Sequence, residues 1–428
     1  MDEKNPDMRR YNYMQGALLP VFLLLAVAQQ GQAQVLPSFP YSALGVGEFN
    51  YNTQGMLSGM GYGVSAVRSG SFLNNANPAA YSALQPHLSL GELSATGLVA
   101  TLQSGSSTGQ SSDFNVSRFA IGIKVNKWWG TSVGLIPVST MSYQIVDDKA
   151  VTGTSKSINS IYEGNGGLHA FYWGNGIKIG NHLSLGVQMN YIFGSLNQME
   201  KIAYDISNPL LTSTQQTFLR NLDFSYGLQY FTPITDRLDM SVGLQYQGRR
   251  DLRASYTLSI VSGGDTLSDE TMKDDYFTLP DQYRAGIAFT FDDMLTVDFD
   301  YIFEKWNDLS VKSNNVSLVN SVSYGLGLQW FPGGKDVPYR RLLQQRLLFE
   351  GGVNYNRSYL QIDQKQISDL SLSLGAGLYN RPGNLSLGVG LEVGQKGTMG
   401  SGLINESYTK LYLTLIVRNI WLTKHKYY

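Results

Sequence analysis

Apolar and polar residues alternate along most of this chain. In Leu183–Gly194 the odd positions Leu183, Leu185, Val187, Met189, Tyr191 and Phe193 are apolar, and every even position except Ile192 is Ser, Gly, Gln or Asn. The same pattern runs through Leu385, Leu387, Val389, Leu391 and Val393, and through Leu370, Leu372, Leu374, Ala376 and Leu378. A period of two is that of a half-buried β-strand. A sandwich in water would carry many Lys and Glu on its outer face. Here the polar face is mostly Gly, Ser, Gln and Asn, which suits the hydrated interior of a closed barrel whose apolar face meets lipid. Such segments fall near 87–103, 115–126, 130–145, 158–178, 183–197, 217–231, 237–260, 277–291, 294–304, 316–331, 347–360, 366–380, 384–396 and 406–418. The expected fold is all-β, a transmembrane antiparallel β-barrel of about 14 strands, an even number as in bacterial single-chain barrels.

The connections support this arrangement. Those after the first, fifth and seventh segments read as long and polar, namely Ser104–Asn115, Asn197–Gln216 and Ser262–Tyr276. Tight turns follow the second, fourth, sixth and eighth segments, at Lys127–Gly130, Gly180-Asn181, Thr232–Asp236 and Asp292-Asp293, and again at Asn380–Gly383. Long loops outside and short turns in the periplasm are the outer-membrane pattern. Pro332–Arg346, with Arg340, Arg341 and Arg346, breaks that rule on the short side. It reads as a solvated loop or as a docking site for a periplasmic partner. Trp128, Trp129, Trp330 and Trp421 fall at periplasmic segment ends, where amphipathic rings favour the membrane boundary.

The N-terminus points to export. Arg9 and Arg10 precede an apolar run from Ala17 to Ala28, and Gly31-Gln32-Ala33 ends the polar stretch that follows. This is the layout of a signal peptide cleaved after Ala33, and the run is too short to span a bilayer. Composition agrees. Only 15% of the 428 residues are charged and there is no cysteine, so disulfides, thiolate nucleophiles and Cys-ligated zinc are excluded. With 32 basic residues against 33 acidic ones, nucleic acid is not an expected partner.

Residues 34–85, between the signal peptide (1–33) and the barrel (86–420), lack sustained alternation; residues 421–428 form a tail. The run Gly59–Ala80 reads GMGYGVSAVRSGSFLNNANPAA. It resembles the N-terminal hatch of the FadL/TodX family of outer-membrane transporters for hydrophobic compounds. Gly164–Gly174, GNGGLHAFYWG, is similar to that family's fourth-strand region. The resemblance implies a 14-stranded barrel plugged by the hatch, in the outer membrane of a Gram-negative bacterium. It implies passive uptake of hydrophobic compounds such as long-chain fatty acids, leaving sideways through a gap at a kinked third strand. FadL-like barrels also serve as non-transporting accessory or shuttle subunits of type nine secretion systems, so a protein partner is the alternative. Membrane lipid is a partner under both readings, and no cofactor or metal is expected.

Gly134 and Pro137 lie in the third segment. A proline has no N–H for the ladder and belongs at an edge, bulge or break, so Pro137 marks either a lateral opening or a simple bulge. Asn77, Pro78 and Ala79 are expected to hold the hatch against that strand, with Asn77 bonding ladder groups freed by Pro137; the alternative is a plain turn into strand one. Arg118, Lys124, Arg284, Asp298, Asp300, Glu304, Glu350 and Arg418 are expected to form hydrated ion pairs in the lumen. Of the four histidines, His169 is expected to face the lumen, between outward-facing Leu168 and Ala170. No nucleophile elbow or comparable motif accompanies them, so the chain is not expected to be an enzyme.

Overall fold

A computed structural model describes residues 39–50, 55–86, 88–105, 107–150, 157–203, 210–309, 316–334, 342–380, 383–397 and 403–420. The expected signal peptide and its cleavage point, His87, Arg340, Arg341, Trp421 and the tail lie outside the described residues.

Strand segments form one antiparallel sheet that closes on itself. Numbered in chain order, the barrel strands are β1 (Leu88–Ser104), β2 (Ser107–Lys124), β3 (Trp129–Ala150), β4 (Ser157–Ile179), β5 (Leu183–Ala203) and β6 (Leu211–Thr235). Next come β7 (Leu238–Gln247 and Arg250–Ser262) and β8 (Asp265–Leu279 and Gln282–Phe291), each in two halves. The circle continues with β9 (Leu295–Glu304), β10 (Ser321–Trp330), β11 (Leu347–Ile362), β12 (Lys365–Tyr379), β13 (Leu385–Lys396) and β14 (Asn405–Ile420). β14 pairs with β1 from Asn405↔Gln103 to Ile420↔Leu88, which closes a 14-stranded barrel. The interruption in β7 and β8 sits at Pro280, which cannot donate to a ladder. Asp281 bridges the break, accepting from Arg249 N–H at 3.0 Å and from the Tyr246 hydroxyl at 2.8 Å.

Alternation sets the wall chemistry. Along β12, Leu370, Leu372 and Leu374 are 52%, 54% and 67% exposed, while Ser371 and Ser373 are 2% exposed. An exterior this apolar over so many strands needs lipid to cover it. Each row of outward Leu, Val, Phe and Tyr was legible for that reason.

The strands run further than the alternation does. The expected loop Ser104–Asn115 is mostly strand, since β2 begins at Ser107 and pairs with β1 from Ser104↔Ser107 onward. Ser262–Tyr276 is likewise a hairpin, with Asp265↔Ser262 as its first pair, and β5 and β6 extend to Ala203 and from Leu211 across the expected loop Asn197–Gln216. Beyond the apolar belt both faces of a strand meet polar surroundings. The sequence there has no reason to alternate, although the backbone ladder continues.

Residues 39–50 and 55–86 lie within the circle of strands. Met56, Leu57, Met60, Val64, Val67, Phe72 and Leu73 form a buried cluster with the lumen-facing Leu90, Ala120, Tyr172, Leu348, Tyr379 and Ile416. The lumen is therefore packed with apolar as well as polar groups.

Candidate functional site

The inner segment is anchored at several points around the wall. Asp300 of β9 accepts from the backbone N–H groups of Val64 (3.3 Å) and Ser65 (3.0 Å) and from the Ser65 hydroxyl. Glu350 of β11 accepts from Gly59 N–H at 3.1 Å and from Gln329 Nε2 at 2.9 Å. Arg68 donates to Gln229 Oε1 at 2.7 Å and stacks over Phe231, its guanidinium carbon 3.8 Å from the ring centre. Asn74 donates to the carbonyls of Val64 (2.7 Å) and Val67 (3.0 Å), tying the segment's own loops together. Bonds of this kind satisfy buried backbone groups that have no ladder to join.

The short 3₁₀ helix Pro78–Ala83 begins at the cap Asn77, whose Oδ1 accepts from Ala79 N–H at 3.0 Å. The Asn77 amide donates to the carbonyls of Ser65 (3.3 Å), Leu228 of β6 (3.1 Å) and Leu244 of β7 (3.2 Å). The expected bond from Asn77 to groups freed at Pro137 is thus corrected: it reaches a different part of the wall. The helix lies against glycines because side chains there would collide with it. A Cβ at Gly186 would stand 2.2 Å from Ala79 N, and one at Gly227 would stand 2.1 Å from Asn77 Oδ1.

The ladder between β2 and β3 is short. It runs only from Lys124↔Gly130 to Phe119↔Leu135. Beyond that point β2 remains paired with β1 and β3 remains paired with β4, up to Ala150↔Ser157. A seam therefore opens in the wall above Gly134, at Ile136 and Pro137. Bulges flank it, between Pro137 and Ser139 in the β3–β4 ladder and between Ser94 and Ala95 in the β1–β2 ladder. Gly134 is buried against Tyr172, where a Cβ would meet the ring at 2.7 Å.

The free edge of β3 is covered from inside. A two-residue strand, Glu48–Phe49, pairs with Thr140 and Ser139. Asn50 N–H donates to Val138 O (3.0 Å), Phe39 N–H to Ser142 O (2.7 Å) and the Ser139 hydroxyl to Val46 O (2.6 Å). Phe49 packs against Trp306 and Tyr359, which stack on each other with ring centres 4.1 Å apart. Lys396 of β13 holds Glu48 at 2.5 Å.

Two cavities meet at this cover. One, of about 160 Å³, is lined by Ile136, Pro137, Phe49, Asn50, Arg284 and Glu304 among others. The second, of about 240 Å³, is lined by Val116, Pro137, Phe49, Asn50, Tyr41 and Glu406 among others. Phe49, Asn50 and Pro137 belong to both.

Other residues singled out by sequence take varied places. Arg118 forms an ion pair with Glu92 at 3.4 Å, both side chains almost fully buried, and donates to Leu73 O at 3.4 Å. Lys124 donates to the Ser82 carbonyl, and Arg418 to the carbonyl of Ser71 at 2.7 Å. Glu304 accepts from Trp306 Nε1 (2.7 Å) and Gln282 (2.8 Å). Arg284 lines the first cavity, and Asp298 is fully buried beside the inner segment, where a Cβ at Gly63 would meet its carbonyl at 3.0 Å. Asp300, Glu350, Lys124 and Arg418 thus hold backbone of the inner segment, which corrects the expectation of hydrated ion pairs at those four. His169 is corrected too. It is exposed, opposite Pro137 and beside Phe193, while Leu168 and Ala170 are buried in an interior apolar cluster with Met141 and Ile192. Among the described residues no group of His, Asp and Glu is placed to hold a metal ion.

Sequence reading missed Glu92, Arg68 and the seam cover Glu48–Asn50. Glu92 had a usable signal, as the one charged residue between Leu90 and Ser94 on the face opposite Leu93.

No curated protein matches the chain. Among solved structures, a Pseudomonas aeruginosa FadL homologue is similar at a TM-score of 0.60 and 13% identity, over 87% of this chain and 100% of the other. The Ralstonia pickettii toluene transporter TbuX is similar at 0.58 and 16%, over 86% and 99%. The P. putida toluene transporter TodX is similar at 0.58 and 13%, over 87% and 99%. At such identities the likeness is one of fold, a closed 14-stranded antiparallel β-barrel. A family model for BamG matches residues 15–428, nearly the whole sequence, and the chain belongs to the BamG family.

Proposed function

We propose that this barrel is an outer-membrane passage for small hydrophobic molecules, which leave it sideways through the β2–β3 seam. The observation that carries this reading is the seam itself. Where the ladder stops, two cavities converge on Pro137, and Phe49 and Asn50 of the inner segment line both of them. A closed barrel has no structural need of such a break, and an unpaired strand edge costs hydrogen bonds that must be supplied elsewhere. The solved barrels of like fold include toluene transporters, which supports the same reading. Residues 34–85 act in it as the hatch, and the tight-turn end of the barrel faces the periplasm.

The test is uptake by cells that lack other channels of this kind. Cells producing the protein should accumulate labelled toluene or a labelled long-chain fatty acid faster than cells without it. Pro137→Val, which restores a ladder donor at the seam, should lower that uptake while leaving the gel heat-shift of the folded barrel unchanged. No uptake of either solute above background contradicts the reading.

One observation favours a second reading, a barrel that binds a protein partner. Leu342 and Leu343, in the long connection on the periplasmic side, are 55% and 61% exposed. Adjacent exposed leucines in water are a common docking feature. Co-purification of a stoichiometric protein, with no solute uptake, would favour it.

A further inference from the structure

The second cavity carries a charge pattern unlike that expected of a site for fatty acids. Glu48, Asp369, Glu392 and Glu406 gather around it with only Lys396 and Lys410 among them. Both lysines are already engaged. Lys396 lies 2.5 Å from Glu48, and Lys410 lies 3.6 Å from Glu392. The cluster thus holds four carboxyl groups and two ammonium groups, and Lys396 also stands opposite Glu406 in the β13–β14 ladder. Asp113 adds another acid where the cavity reaches the seam.

Glu406 is the group that points to a ligand. It is 3% exposed, lines the cavity, and its Oε2 has no hydrogen-bond partner among the described residues. A buried carboxylate oxygen without a donor is costly. Asp369 and Glu392, by contrast, accept from the Tyr408 and Tyr412 hydroxyls.

The remaining lining combines tyrosine and phenylalanine rings and a few aliphatic side chains with Ser, Thr and Asn groups. Tyrosine rings combined with carboxylates are suited to ammonium groups, which are attracted to ring faces and to anions together. The protein's own lysines already use the site in this way. The Lys410 ammonium lies 4.6 Å from the centre of the Tyr408 ring, and that of Lys396 lies 5.7 Å from the Tyr41 ring. Leu98, Val116, Leu360 and Ile367 supply apolar lining.

We propose that this cavity binds an ammonium-bearing amphiphile, with the amine at Glu406 and the hydrocarbon tail along that apolar lining. The assignment rests on the passage reading above and names its substrate class. A carboxylate head would meet an excess of acids over lysines that are already engaged with Glu48 and Glu392, so a fatty acid of equal chain length binds more weakly. An uncharged alcohol lies between the two. Among the described residues no group of acids and histidines is placed to hold a metal ion.

Calorimetry on the full chain in non-ionic detergent, with octylamine, octanol and octanoate as probes at neutral pH, separates the cases. Octylamine should bind about tenfold more tightly than octanoate, the effect of about one charge-assisted contact. Glu406→Gln should weaken octylamine binding about as much and leave octanol unaffected. Asp369→Asn provides a second variant should the first fail to show the gel heat-shift of a folded barrel. Octanoate binding as tightly as octylamine, or octylamine binding unchanged in both folded variants, would overturn the assignment while leaving the passage intact. Binding of none of the three probes would overturn both.

Discussion

Gly186→Leu is expected to dislodge the inner segment and leave the barrel leaky. A Cβ at this position would stand 2.2 Å from Ala79 N and 2.3 Å from the Pro78 carbonyl carbon, and both are backbone of the Pro78–Ala83 helix. Backbone cannot rotate away as a flexible side chain can, so the helix must leave the wall. Overpacking of this kind costs roughly 1–3 kcal/mol, which multiplies the fraction of displaced segments by about 5 to 150. The strand itself is spared, because Gly186 pairs through its backbone with Gly176 and Gly227. The expected readouts are ion current across planar bilayers and entry of a large polar antibiotic into cells. Gly109→Leu is the control, since nothing lies within 4 Å of a Cβ there. Asp300→Asn, which weakens the acceptor for Val64, Ser65 and the Ser65 hydroxyl, should act in the same direction more mildly. Equal, low leakage in Gly186→Leu and Gly109→Leu would show that the inner segment does not plug the lumen.

Glu92→Ala is expected to be the most destabilising single change. Arg118 is 1% exposed and pairs with Glu92 at 3.4 Å, so the substitution takes that counter-charge from a buried guanidinium. Breaking a buried pair from one side costs about 3–5 kcal/mol, whereas replacing both partners with apolar groups is often neutral. The gel heat-shift midpoint should therefore fall by several degrees in Glu92→Ala and recover in the double variant Glu92→Leu, Arg118→Leu. The double variant has a further use: Arg118 also holds the Leu73 carbonyl, so any rise in leakage there reports the plug anchor separately from the barrel. A midpoint unmoved by Glu92→Ala would mean that the pair contributes nothing to the fold.

The barrel was legible because its strands separate two unlike surroundings. Leu370, Leu372 and Leu374 against Ser371 and Ser373 could be sorted on sight, and strand number followed from counting such rows. His169 was misplaced by the same rule. Leu168 and Ala170 were read as lipid-facing because they are apolar, yet they pack in the lumen with Met141 and Ile192. Apolar character fixes a face only where the other side is polar, and the interior of this barrel is not polar throughout. Asn77 bonds Leu228 and Leu244 rather than groups at Pro137, because which carbonyls it meets depends on pairings about 150 residues away in sequence, and no local pattern encodes them. The seam cover was invisible for a related reason. Glu48–Phe49 is too short for periodicity, and its partner is a strand edge exposed only because β2 and β3 part at Phe119 and Leu135.

The absence of cysteine makes the seam directly testable. Val116, on the open edge of β2, is 66% exposed and lines the second cavity, whereas Leu374, on β12, is 67% exposed on ordinary paired wall. Each can be replaced by a single cysteine and capped with a bulky membrane-permeant maleimide, and uptake of a labelled hydrophobic solute measured in cells lacking other such channels. The expected result is that capping Val116→Cys lowers uptake several-fold, while capping Leu374→Cys leaves it unchanged. Equal uptake in the two capped variants, with uptake by the uncapped protein clearly above background, would contradict lateral exit through the β2–β3 seam.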